Sequence, residues 1–75
     1  MELSALKDTF NIFTQENSNI YPRLTISMVG GNIVNIENVV DNKILLTKDY
    51  MKIDTPKSIT YLCNDDIIRI ILHKN

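Results

Sequence analysis

The sequence is poor in cysteine, glycine and proline, and it carries no long hydrophobic run. The one cysteine, Cys63, has no partner for an intramolecular disulfide, so a disulfide framework is excluded and a reducing compartment fits best. No apolar run approaches the ~18 residues of a membrane span, and no membrane partner is expected. The N-terminal stretch MELSALKDTF lacks the basic and apolar regions of a signal peptide, which points to a cytoplasmic protein. Positive charge is not in excess either. The formal net charge is −1, which excludes the broad basic patch of a strong nucleic-acid binder.

What is present describes a globular chain. Apolar residues make up 44% and charged residues 23%, a composition that excludes disorder. Seventy-five residues form a single domain, 1–75. A chain this short buries only ~60% of the surface its unfolded form exposes. Its core is thin, and burial through self-association would add to it.

Residues 2 to 16 read as a helix that ends at Asn17, because Leu3, Leu6, Phe10 and Phe13 recur at steps of three and four. Phe10 and Phe13 are expected to cap the open end of a sheet. Asn17-Ser18-Asn19 favours turns over helix interior. From Arg23 to Val29 the pattern changes to alternation, with Leu24, Ile26 and Met28 on one face and Thr25 and Ser27 on the other. Gly30-Gly31 suits a tight hairpin. Asn32 to Val40 reads as a second strand and Asp41-Asn42 as the next turn. Lys43 to Lys48 is a third strand, apolar on both faces through Ile44-Leu45-Leu46. Asp49 to Lys57 reads as a loop whose Tyr50, Met51 and Ile53 either fold back on the core, the preferred reading, or form part of a contact surface. Ser58 to Cys63 is a fourth strand, Asn64-Asp65-Asp66 a short 3₁₀-type turn, and Ile67 to His73 a fifth strand. That last strand places Ile68, Ile70 and Leu72 on one face and Ile67, Arg69, Ile71 and His73 on the other. A terminal strand with two apolar faces needs a cover, and another subunit is one.

A helix followed by five short antiparallel strands resembles the Sm-like small barrel of the Sm and Hfq RNA-binding proteins. The stretch from Leu24 through Gly31 to Asp41 and KILLTK is similar to the first Sm motif. ITYLCNDDIIRIIL is similar to the second. Where Hfq proteins carry Tyr-Lys-His, this chain has Tyr61-Leu62-Cys63. The resemblance implies a mainly β fold with one N-terminal α-helix: a small, strongly bent five-stranded antiparallel barrel over residues 23–73, with the helix over 2–17. It also implies a homo-oligomeric binding module that contacts RNA, in which the fourth strand of one subunit pairs with the fifth of the next. The alternative, motivated by near-neutral charge, is a structural or protein-interaction module without nucleic-acid binding, whose partner is another protein.

The candidate residues follow. Tyr50 and Tyr61 could stack on bases, with Lys43, Lys48, Lys52 and Lys57 as a phosphate-facing rim. The competing reading is a tyrosine packed along a strand and a solvated lysine face, because Asp41, Asp49 and Asp54 stand among the lysines. Ile59, Tyr61, Ile67 and Ile71 are the expected oligomer interface, and Gly30, Gly31 and Asp41 the turn residues. No nucleophile–base set is visible, so no catalytic residue, enzyme activity or cofactor is expected. Asp65 and Asp66 read as turn formers. Cys63 and His73 are the soft ligands present, and a hairpin does not oblige them to meet, so no metal site is expected. Cys63 lacks the electropositive surroundings of a nucleophile and reads as a small buried hydrophobe. His73, near the end of the chain, is expected to be exposed and idle. Gly30-Gly31 precedes a β-type segment rather than a helix and is no phosphate loop.

Overall fold

The structure, a computed structural model, describes residues 1–16 and 20–73, with backbone alone over 12–16. Asn17-Ser18-Asn19 and the side chain of Phe13 therefore lie outside the described residues. The chain forms α1 (Leu3–Glu16), β1 (Ile20–Met28), β2 (Ile33–Val40), β3 (Ile44–Leu46), β4 (Tyr50–Asp54), β5 (Ile59–Cys63) and β6 (Ile67–His73). One 3₁₀ turn, Asp41–Lys43, joins β2 to β3, and a second, Asn64–Asp66, joins β5 to β6. The strands make two antiparallel sheets of three, in the orders β2-β1-β6 and β3-β4-β5.

This corrects the expected five-stranded barrel. Among the described residues there are six strands, in two separate sheets, and neither closes on itself. The segment 49–57, expected as a loop, contains the central strand of the second sheet. Met51 and Ile53 alternate inward and are fully buried, as expected of their side chains, whereas Tyr50, expected on the core with them, is exposed; a buried alternating pair needs strand pairing to satisfy its backbone. Thr47 closes the β3–β4 turn, its N–H and its hydroxyl both donating to the Tyr50 carbonyl. The 3₁₀ turn at Asp41–Lys43 separates β2 from β3, so the two do not run on as one bent strand.

Both sheets and the helix contribute to one core. Leu6 and Phe10 come from α1, Tyr21, Leu24, Ile26, Ile36, Val39 and Ile67 from the first sheet, and Met51, Ile53 and Leu62 from the second. Phe10 meets Tyr21 edge-on, with ring centroids 5.6 Å apart. The Tyr21 hydroxyl donates to Asp41 Oδ1 at 2.5 Å, which ties the turn residue Asp41 to the core. The Met1 amino group donates to the carbonyls of Asn64 and Ile67, fastening the start of α1 to the second 3₁₀ turn.

Two irregularities set which side chains face inward. The pairs Leu24–Ile36 and Tyr21–Val39 are both buried, although they stand three positions apart along each strand. Between them Pro22, which has no N–H, stands where Asn38 would be its partner, and Asn38 takes φ +56. The facing of both strands changes there. In β6 the register against β1 shifts between Ser27 and Met28, leaving Ile68 as the extra residue. Such a bulge reverses the facing of what precedes it. Ile67 therefore joins Ile70 and Leu72 on the inner side, and Ile68 turns outward, which corrects the regular alternation expected of this strand.

Candidate functional site

The strand order leaves β5 at the edge of one sheet and β6 at the edge of the other. Hydrogen bonds in the flanking turns fix the phase of each ladder. Thr55 and Ser58 exchange N–H···O bonds, and the Asn64 N–H donates to the Asp49 carbonyl. In an antiparallel pair the bonded positions alternate. Thr60 and Leu62 thus point their backbone groups at β4, and Ile59, Tyr61 and Cys63 point theirs away. On β6 the Val29 N–H to Asp66 carbonyl bond and the Thr25–Ile71 register turn Arg69, Ile71 and His73 toward β1. Ile70 and Leu72 face the open side.

These edges are apolar. Tyr61 is 64% exposed, Ile59 57% and Ile68 61%, with Ile71 also exposed. Around β5 the outer face of the second sheet continues through Tyr50 and Leu45. Leu45, Lys52 and Tyr61 form one row across it. The rings of Tyr50 and Tyr61 lie 5.9 Å apart.

The expected interface residues divide. Ile59, Tyr61 and Ile71 are on the surface, whereas Ile67 is 3% exposed and belongs to the core. Leu45 is exposed, so β3 is not buried on both faces. Cys63 is exposed as well, not a buried hydrophobe, because the period of β5 turns Leu62 inward and its neighbours outward. Lys43 and Lys48 are exposed at the two ends of β3, and of the four lysines expected as a phosphate rim Lys52 is the one in register with Tyr61. Gly30 and Gly31, with φ of +87 and +83, make the β1–β2 turn.

His73 is not idle. Its Nε2 lies 2.8 Å from Thr25 Oγ1, and Thr25 Oγ1 donates to Asn35 Oδ1 at 2.7 Å. The outer face of the first sheet gathers both arginines, Arg23 and Arg69, and this histidine, with Glu37 in the same row as Arg23 and His73. Period two puts these residues on one face in the sequence, but their partners depend on register, which the sequence does not display.

A cleft of about 400 Å³ runs along the other edge of that sheet, between residues 34–38 of β2 and the β4–β5 connection at Thr55–Ser58. Among the described residues no three metal-ligating side chains gather and no helix is long and apolar enough to cross a membrane. The chain matches no family model, no curated protein and no solved structure.

Proposed function

We propose that this chain is a self-associating interaction module in which the β5 edge of one copy pairs with the β6 edge of the next. The observation that carries this reading is the pair of open edges, each bordered by exposed apolar side chains and each turning main-chain groups away from its one neighbouring strand among the described residues. Exposed apolar edges are a liability in a monomer. Within one chain β5 and β6 belong to different sheets, so a second copy supplies the missing strand. The contact is head to tail, and it closes into a ring or continues as a filament.

Light scattering after size exclusion tests it. A mass of several chains supports the reading, and a monomer across micromolar concentrations removes it. Tyr61→Pro sharpens the test. The Tyr61 N–H faces away from β4, so proline is compatible with the intact sheet while it removes an intermolecular donor. Folded monomer from Tyr61→Pro is the expected result.

A second reading, RNA binding, rests on the paired exposed rings of Tyr50 and Tyr61 with Lys52 in register. Each base stacked on such a ring contributes about 1–3 kcal/mol. Titration with uridine-rich and adenine-rich RNA, wild type against Tyr50→Ala, tests this reading. Equal binding by both proteins, or none by either at tens of micromolar, removes it.

A further inference from the structure

We infer that the cleft beside β2 is a docking groove for an extended peptide, which adds to the sheet as a new strand alongside β2. The phase of the ladder supports this. Met28 donates its N–H to the Asn32 carbonyl, and the register from Ser27–Ile33 to Arg23–Glu37 is continuous. Val34 and Ile36 therefore bond toward β1. Asn35 and Glu37 turn their N–H and C=O groups toward the open side, where the cleft lies. Two residues along a strand are about 6.8 Å apart. An alternating donor and acceptor set at that spacing is matched by another extended backbone, the basis of strand addition to a sheet edge.

The walls fix the side-chain chemistry. Val34 and Ile36 line the inner side, with Pro56 and Thr60 from the β4–β5 region. A strand in the groove thus points apolar side chains inward at alternate positions. Its other side chains lie beside Asn35 and Glu37 and are polar. The β2 edge has definite ends. The Gly30–Gly31 turn ends β2 on one side, and Asn38 at φ +56 interrupts the ladder at the other. Thr55–Ser58 stands across from β2 and forms the opposite wall of the groove. The groove lies at the opposite edge of its sheet from β6, and this inference does not depend on the self-association proposed above.

The test uses the full chain, labelled for amide detection, and a capped heptapeptide of alternating valine and threonine. With valines inward in an antiparallel ladder, the threonine N–H groups face β2. The expected result is saturable shifts confined to residues 33–38 and 55–60. Slowed hydrogen exchange is expected at Asn35 and Glu37, whereas Val34 and Ile36 are protected from the outset. N-methylation of the threonines removes the bonds to β2 and weakens binding by about tenfold or more. N-methylation of the valines leaves it unchanged. Absence of shifts at millimolar peptide overturns the inference, as does equal loss from both methylation patterns. Shifts at 61–63 or 67–72 overturn it too, because they place the peptide on the self-association edges. Protection of Asn35 and Glu37 that rises with protein concentration alone makes the occupant a second copy and overturns it.

Discussion

Thr25 Oγ1 lies 2.8 Å from His73 Nε2, within hydrogen-bond reach, and the direction of that bond goes with the ring tautomer. The hydroxyl has one hydrogen, and it is donated to Asn35 Oδ1. Toward His73 the same oxygen must accept, so Nε2 bears hydrogen. Nδ1 then has a lone pair in the neutral ring, directed at Arg23 Nη2 3.5 Å away. The chain of contacts runs from β6 through β1 to β2 and ties the edge strand to its sheet.

Thr25→Val keeps the shape and removes both contacts. We expect a loss of about 0.5–1.5 kcal/mol of stability for each net hydrogen bond. Amides at the C-terminal end of β6 exchange faster, while those of β4 and β5 do not change. Nitrogen shifts of the neutral ring report Nε2–H in the wild type and mixed tautomers in Thr25→Val. Mixed tautomers in the wild type would show that the chain of contacts does not exist in solution.

Asn64 is 2% exposed, and its Nδ2 donates to the carbonyls of Thr47 and Lys48 at 2.8 and 3.1 Å. It joins the second 3₁₀ turn to the β3–β4 turn. Asn64→Ala leaves two carbonyls without that donor and costs about 1–3 kcal/mol. Asn64→Asp costs more, since it sets a buried carboxylate against those carbonyls. Its buried Oδ1 has no partner among the described residues, so the donors carry the effect. Chemical denaturation checks the order wild type, alanine, aspartate. An aspartate variant as stable as wild type would contradict it.

Tyr21 packs on Phe10 and donates to Asp41 Oδ1. Tyr21→Phe retains the ring and removes the donor. The cost is about 1.5–3 kcal/mol, the range for a hydrogen bond to a charged group. If Asp41 matters through this bond, Asp41→Ala in the Tyr21→Phe background adds little, and a double-mutant cycle reads the coupling. Additive losses would place the role of Asp41 in its 3₁₀ turn alone.

Much of the local structure was legible because it depends on period and turn chemistry. Alternation at Leu24 and Ile26, the steps from Leu6 to Phe10, and the Gly30-Gly31 turn all reappear in the structure. What failed is non-local. Met51 and Ile53 show the period of a strand, but Asp49 and Pro56 around them suggested a loop, and the pairing with β3 and β5 decided the outcome. The bulge at Ile68 has no sequence mark, since it exists only against Ser27 and Met28 of β1. Ile67 was misplaced for that reason. The edges were partly legible, in that Ile59, Tyr61 and Ile71 are exposed. The cleft beside β2 was not, because it needs the β4–β5 connection folded across from β2.

Gly31 separates backbone strain from crowding. It takes φ +83, and a Cβ added there meets nothing within 4 Å. Any cost of substitution is therefore conformational. Gly31→Ala forces an L side chain into the left-handed region and destabilises the chain by about 1 kcal/mol. Asparagine is larger but tolerates that region better. Gly31→Asn is expected to retain more stability than Gly31→Ala, as read by the midpoint of denaturant unfolding. If bulk governed the position, the order would reverse, and the β1–β2 turn would be packed against something in solution that lies beyond the single chain.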